Sequence, residues 1–255
     1  MSNIAGRLSN GLRNPHTALY YVLFGKERTA RFQIRRLVGA LAIAPGTKVE
    51  DFYHSIASAT DFETYIANKL GGASFDGIVG SKHLYVIVRA LQPQVVVETG
   101  VAAGISSAFI LKALSDNSRG ALYSIDLPGK YCTPPPDIAR FLSPKSLTGQ
   151  ISEERVGFAV PDILKDRWTL ALGKSSQVLP GLLKQLGKVD LFLHDSEHTY
   201  ENMMFEFTTV WDYLVPGKLL LSHDIHWNHS FGDFCKKVNR KGRELFFTGL
   251  GAIIK

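Results

Sequence analysis

The sequence predicts an α/β protein with a doubly wound, mostly parallel, seven-stranded sheet and an N-terminal helical extension. Three observations predict this fold class. From about residue 80 onward, short apolar runs alternate with segments of helical periodicity. These runs are apolar throughout, as in strands that helices cover on both faces. The first run, VVVET, leads directly into a turn that contains two glycines.

Composition sets the class of protein. The 255 residues are 45% hydrophobic, which is typical of a globular chain with a sizeable core. The two cysteines, Cys132 and Cys235, form no CxxC pair and predict neither a disulfide framework nor a structural zinc site. No signal-peptide pattern and no run of about 20 apolar residues is visible. We therefore expect a cytoplasmic protein without a transmembrane segment.

The N-terminal extension, residues 1–75, is basic. The first 50 residues hold eight basic and two acidic side chains, which accounts for the whole net charge of +6. Apolar side chains recur at helical spacing at Ala30, Ile34, Leu37, Val38 and Leu41, and another face carries Arg28, Arg31 and Arg35. The helix is expected to pack on the domain or on a second copy of the chain. Contact with an anionic membrane surface and a wall for an acidic substrate are the alternatives. The neutral remainder offers no continuing basic track, so we expect no nucleic-acid partner.

The second region, residues 76–255, is predicted to be the catalytic domain. Its strands are expected at residues 94–98, 121–126, 168–173, 189–194, 217–224, 244–249 and 251–255. Its helices are expected at residues 82–91, 104–114, 177–186, 200–214 and 231–238. A proline-rich segment, residues 127–161, is too long for an ordinary connection between a strand and a helix. It is therefore predicted to form an insertion or lid over a site.

The turn after the first strand is the expected ligand site. In a doubly wound sheet, the ligand lies outside the carboxyl ends of the strands, and a glycine turn approaches it closely. Here the turn contains Gly100 and Gly104. Neither G-x-G-x-x-G nor G-x-x-x-x-G-K-[ST] occurs, which argues against dinucleotide and P-loop sites.

This turn resembles the first motif of class I S-adenosylmethionine-dependent methyltransferases. The form E-x-G-x-x-x-G-x-S, found in small-molecule O-methyltransferases, is present as Glu98, Gly100, Gly104 and Ser106. The resemblance covers roughly residues 75–255. It implies a Rossmann-like methyltransferase fold and S-adenosylmethionine as the cofactor.

The same resemblance implies the cofactor-binding residues. Asp126, at the end of the second strand, would hold the ribose hydroxyls. Ser175 would contact the adenine, and Glu98 and the turn would face the methionine end. The full predicted set is Glu98, Gly100, Gly104, Ser106, Asp126, Ser175 and Asp195.

Five of the eight histidines lie at or after the ends of the fourth and fifth strands. The segments HDSEH and SHDIH resemble the metal sites of macrocin-type and catechol-type O-methyltransferases. Carried onto this chain, the ligands of a divalent cation (Mg, Mn or another) would be Asp195, His223 and Asp224. His223 stands where the family more often has a carboxylate. It would therefore either shift the preference from magnesium to a metal that accepts imidazole, or lie outside the set of ligands. A site without metal is the alternative.

Methyl transfer from a sulfonium requires a positioned hydroxyl and a group that takes its proton. Glu197 and His198 are the predicted bases. The predicted function is therefore O-methylation of a small hydroxylated molecule, such as a sugar, a natural product or a phenol. The alternatives are a metal-dependent hydrolase or oxygenase that uses the histidines, and a non-catalytic binding module on the same fold. The expected partners are the small-molecule acceptor and, in a homo-oligomer, further copies of the chain.

Overall fold

The computed structural model describes residues 15–41, 48–71, 75–128 and 152–255. Within them lies one seven-stranded sheet, with the order β3-β2-β1-β4-β5-β7-β6. Its strands are β1 Val95–Thr99, β2 Ala121–Asp126, β3 Trp168–Leu172, β4 Val189–His194, β5 Leu214–His223, β6 Arg243–Leu245 and β7 Leu250–Ile254. The first five strands pair in parallel, and β7 runs antiparallel to both neighbours. This confirms the predicted fold class.

The helices cover both faces of the sheet. They are α1 Pro15–Ala40, α2 Val49–Ser58, α3 Thr60–Lys69, α4 Phe75–Leu91, α5 Ile105–Asp116, α6 Ser175–Leu186, α7 Tyr200–Tyr213 and α8 Ser230–Lys237, and two 3₁₀ helices span Glu153–Arg155 and Asp162–Arg167. Side chains alternate along β4, so that Leu191 and Leu193 pack on the face with α4 and α5, whereas Phe192 packs on the face with α6 and α7. Both faces of β4 are therefore buried, which explains its uninterrupted apolar run.

The N-terminal helices belong to the same core as the sheet. The five apolar residues predicted for one face of α1 are all buried. Ile34 and Leu37 join a single cluster with α4, α5 and the strands. On the polar face, Arg31 Nε lies 2.8 Å from Glu27 Oε1, and Arg35 Nε lies 2.8 Å from Glu50 Oε1. Part of the positive charge of this segment is thus neutralised locally.

Several boundaries differ from the sequence prediction, and two of the differences have a local cause. The helix expected to include Leu214 ends at Tyr213, and Leu214 begins β5. Pro216 explains the change, because a proline disfavours helical backbone in the residue before it and cannot extend a helix. The strand expected at residues 244–249 ends at Leu245, because Phe247 adopts a positive φ of 68°. The residues after Leu245 instead form a loop toward β7.

Most of the predicted proline-rich insertion, residues 129–151, lies outside the described residues. Its last part, residues 152–161, is described and packs against the glycine turn. Among the helices that the structure describes, none combines the length and apolar character needed to span a bilayer.

Candidate active site

The glycine turn joins β1 to α5 at the carboxyl edge of the sheet. Gly100 has a φ of +85°, and its N–H donates to the carbonyl of Ile125 at 2.8 Å. A Cβ at this position would lie 2.1 Å from the main-chain oxygen of Asp195. Gly100 is therefore needed both for its backbone conformation and for the close approach of β1 to the segment after β4.

We expect Gly100→Ala to destabilise the chain by several kcal/mol, on the order of an overpacked core site with a strained φ. The matched control is Gly181→Ala in α6, where a Cβ would meet nothing within 4 Å. Alanine in a helix interior is expected to be neutral or slightly stabilising there. Urea unfolding of both variants measures the difference. Equal stabilities would contradict the steric argument.

The end of the insertion closes on the same turn. The N–H groups of Gly157 and Ala159 donate to the carbonyls of Ala102 and Ala103 at 2.8 and 2.9 Å. A Cβ at Gly104 would lie 2.8 Å from the Cα of Gly157. The structure therefore places Gly104 against the insertion as well as at the start of α5.

Asp126 lies at the end of β2, beside the turn. Its Oδ1 accepts a hydrogen bond from the N–H of Val101 at 3.0 Å. Burial raises the pKa of this carboxyl, and the turn amides oppose the shift. The carboxylate therefore braces the turn at the position where the sequence predicts contact with the ribose.

Glu98, near the end of β1, is fully buried beneath the turn. Its carboxylate accepts hydrogen bonds from the hydroxyls of Ser106 and Ser107 at 2.6 Å and of Ser124 at 2.8 Å. Ser124 in turn accepts from the indole N–H of Trp168 at 2.9 Å. Burial raises the pKa of Glu98 to about 7, and the three hydroxyls limit the shift. Glu98 and Ser106, both predicted to face the cofactor, are thus bonded to each other beneath the turn.

A pH dependence follows from Glu98. Its pKa rises from 4.5 to about 7 on folding, so the folded state holds the proton across this window while the unfolded state releases it. The contribution of Glu98 to the free energy of unfolding should therefore fall as the pH rises through the window, by about 3 kcal/mol. We expect Glu98→Gln to gain stability relative to the native chain over this range, as measured by urea unfolding at several pH values. Glu201→Gln, an exposed change in α7, is the control, and a pH-independent difference for Glu98→Gln would refute the assignment.

Ser175, predicted to contact the adenine, is the first residue of α6. Its hydroxyl donates to Asn202 Oδ1 in α7 at 3.1 Å. The structure thus ties Ser175 to the helix that follows β4.

A polar cluster lies at the ends of β4 and β5. Asp195, His198 and His223 each offer one atom that could bind a metal ion, and these three atoms lie within 4.8 Å of one another. His223 Nδ1 is 3.1 Å from Asp195 Oδ1 and 3.4 Å from Asp224 Oδ2, and His198 Nε2 is 3.9 Å from Asp195 Oδ1. Of the three predicted ligands, Asp195 and His223 lie close together. Asp224 is close to His223 and is not part of the group of three. His198, which was predicted as a base, completes that group.

The backbone at Asp224 explains how its side chain reaches His223. Strict alternation along β5 would point these neighbours to opposite faces. Asp224 instead follows the strand with a φ of +49°, and its N–H donates to the carbonyl of Gly249 at 3.1 Å. The two carboxylates of the cluster raise the pKa of His223 well above its usual value, against the effect of burial.

The two predicted bases are placed differently. The side chain of Glu197 is exposed, whereas His198 is largely enclosed, with its ring centroid 4.9 Å from that of Trp227. Burial lowers the pKa of His198 to about 4, and the neighbouring His194 acts in the same direction. The imidazole of His198 is therefore neutral near pH 7.

A buried pair behind the cluster was not found from the sequence. His194 Nδ1 lies 2.7 Å from Glu206 Oε2, and both side chains are fully buried. The hydroxyls of Thr99 and Ser196 also donate to Glu206, at 2.6 and 2.7 Å. Burial would raise the pKa of Glu206, but His194 and these donors hold it at about 2. The pair locks the ends of β1 and β4 to α7.

One cavity of about 680 Å³ joins the turn to this cluster. Val101, Ala102 and Ser106 line it on one side, and Asp195 and His223 line it on another. The remaining wall comes from α1, α4 and the loop before β7, with Lys26, Glu27, Ala30, Ser81, His83, Phe247 and Thr248. The sequence allowed α1 as a wall of a substrate site. The parts of the wall from α4 and from the loop before β7 carry no motif and meet α1 only in the folded chain.

The fold and the site define an α/β protein whose ligand cavity lies at the carboxyl ends of β1 and β4. Within this class, the sequence profile of the family described as "Methyltransferase domain" matches residues 97–225, which is half of the chain. The chain therefore belongs to this family of methyltransferases. The resemblance to class I methyltransferases inferred from the glycine motif is confirmed.

Solved structures of methyltransferases are also similar. The SAH-bound methyltransferase PaMTH1 of Podospora anserina shares 13% identity over 69% of this chain and 77% of that chain, with a TM-score of 0.48. The calicheamicin methyltransferase CalS11 shares 17% identity over 87% of this chain and 90% of that chain, with a TM-score of 0.49. The MycE methyltransferase of the mycinamycin pathway was solved in complex with Mg and SAH. It shares 14% identity over 66% of this chain and 46% of that chain, with a TM-score of 0.43. Curated proteins gave no match.

Proposed function

We propose that the protein transfers the methyl group of S-adenosylmethionine to a hydroxyl group of a small molecule. The observation that carries this proposal is the shared cavity, which the glycine turn lines on one side and Asp195 and His223 line on another. A cofactor on the turn would present its methyl group to a hydroxyl held beside the polar cluster. Such an arrangement supplies the proximity and alignment that an in-line displacement needs.

The acceptor would occupy the part of the cavity next to the N-terminal helices. The cavity as a whole exposes more apolar than polar surface, as is usual for small-molecule sites, and the wall next to the N-terminal helices contributes several polar side chains. His83 is buried, and its Nδ1 lies 2.8 Å from the hydroxyl of Tyr53. Burial lowers the pKa of His83 to about 4, so its ring is neutral. If Tyr53 donates to Nδ1, the proton resides on Nε2, which can then donate to an oxygen of the acceptor.

The polar cluster fits a divalent cation. His198 Nε2 is buried without a hydrogen-bond partner in the described part of the chain, and this atom and His223 Nδ1 both lie near Asp195 Oδ1. Two imidazoles and one carboxylate suit manganese, iron, cobalt, nickel or zinc better than magnesium. Asp195, His198 and His223 would hold the cation, which when bound lowers the pKa of the acceptor hydroxyl. The neutral imidazole of His198 would take that proton in a site without metal.

Removal of metal is expected to abolish most turnover. Enzyme stripped with excess EDTA should regain activity with manganese, cobalt or nickel at least as well as with magnesium, because two ligands are imidazoles. Affinity for S-adenosylhomocysteine, measured by calorimetry in the same buffers, should change little and serves as the control. Full turnover in excess EDTA would eliminate the cation.

The proposed function is tested in two measurements. Calorimetric titration with S-adenosylhomocysteine is expected to show binding, and no heat at about 1 mM would refute cofactor use. Transfer of a labelled methyl group to a panel of hydroxylated sugars and phenols then tests turnover. Cofactor binding with no transfer to any hydroxyl would favour the non-catalytic binding module.

A further inference from the structure

A second cavity lies between α1 and β6, apart from the methyl-transfer cavity. It has a volume of about 150 Å³, and none of its lining residues lines the larger cavity. Its polar lining consists of Gln33 and Arg36 on α1 and of Lys241, Arg243 and Glu244 near β6. A volume of this size admits a single small group.

The charge of this cleft is positive. Arg36, Lys241 and Arg243 form no ion pair with any described residue, although the guanidinium of Arg36 lies 5.8 Å from the centre of the Phe32 ring. The one carboxylate, Glu244, is already engaged, because its Oε1 lies 3.0 Å from His226 Nε2. That contact raises the pKa of His226, so the pair is close to neutral when His226 is protonated. Three cations thus face a small cavity without a matching anion.

Gln33 provides an independent indication of a ligand. Its side chain is only 7% exposed, and its Oε1 is buried with no hydrogen-bond partner among the described residues. A buried amide oxygen without a partner destabilises the folded chain. A ligand hydroxyl that donates to this oxygen would remove the penalty.

We propose that this cleft binds the phosphate group of a soluble, hydroxylated small molecule. Arg36 and Arg243 present planar guanidinium donors suited to phosphate oxygens, and Lys241 adds a point charge. A hydroxyl next to the phosphate donates to Gln33 Oε1. The site is independent of methyl transfer, so its failure would leave the proposed function untouched.

The probe is ribose 5-phosphate, titrated calorimetrically into the full chain at about 0.15 M salt and without S-adenosylmethionine. Ribose 5-phosphate is expected to bind, inorganic phosphate to bind more weakly, and ribose not to bind. Arg36→Gln and Arg243→Gln should each weaken ribose 5-phosphate about tenfold, the loss of one charge-assisted hydrogen bond. Gln33→Leu should weaken ribose 5-phosphate more than inorganic phosphate, because only the former carries the neighbouring hydroxyl.

The matched control is Lys184→Gln, which removes an exposed charge from α6 on the opposite face of the sheet. Equal weakening by this control would show diffuse attraction and overturn the site. Absence of heat with both phosphate compounds would do the same. Vesicles of phosphatidylcholine with phosphatidic acid test a lipid headgroup as the source of phosphate. Vesicle binding that Arg36→Gln abolishes, without binding of ribose 5-phosphate, would overturn the soluble ligand.

Discussion

Replacement of His223 by glutamine is expected to lower turnover about hundredfold or more, while affinity for S-adenosylhomocysteine stays within about twofold. His223 lines the cavity, and its Nδ1 lies between Asp195 and Asp224. The variant removes the imidazole from the proposed acceptor side of the cavity and leaves the glycine turn intact. Single-turnover methyl transfer and calorimetry measure the two quantities separately.

The control for this prediction is His226→Gln, the same substitution three residues later. His226 is paired with Glu244 outside the methyl-transfer cavity, so its loss should change turnover by less than about twofold. A thermal melt of each variant confirms that it is folded. If both variants lose turnover equally, the effect comes from the loop after β5 and not from the imidazole of His223.

Asp126→Asn is expected to weaken the binding of S-adenosylhomocysteine about hundredfold. The change removes the charge that would accept two ribose hydroxyls, and each hydrogen bond to a charged group contributes about 1.5–3 kcal/mol. Asparagine retains a side-chain oxygen that can accept the hydrogen bond from the N–H of Val101, as Asp126 Oδ1 does in the native chain. The turn should therefore keep its shape, and calorimetry should report mainly the contact with the cofactor.

Asp162→Asn is the control for Asp126→Asn, because Asp162 is exposed at the start of a 3₁₀ helix. Its affinity for S-adenosylhomocysteine should equal that of the native chain. An unchanged affinity in Asp126→Asn would show that the ribose does not bind at the end of β2. A lost affinity accompanied by lower thermal stability would instead assign Asp126 to bracing the turn.

The strands and the glycine turn could be predicted because their signals are local. Apolar runs and turn residues locate β2 and β4 at the same residues in the sequence and in the structure. Gly100 is identified by its spacing from Glu98 and by its place after an apolar strand. Such features depend on neighbours a few residues away, so they are visible before folding.

The polar cluster was only partly predictable. That Asp195 and His223 approach each other follows from the parallel pairing of β4 and β5, which places both strand ends at one edge. His198 joins the cluster from the segment after β4, where its ring packs against His194 and Trp227. The turn of Asp224 toward His223 depends on a left-handed backbone at Asp224. That conformation is stabilised by a contact with Gly249, a non-local interaction that no sequence pattern records.

The sequence by itself determined the α/β sheet, the methyltransferase motif and the side chains that gather at the strand ends. Only the tertiary structure decided that Glu98 lies buried beneath three serines, that α1 and α4 line the larger cavity with His83, and that Gln33 lines a second cavity together with three cations. The physical reason is the range of the interactions. Strand and turn preferences act between neighbours along the chain, whereas burial, cavity walls and the pairing of charges arise between segments that meet only when the sheet closes the core.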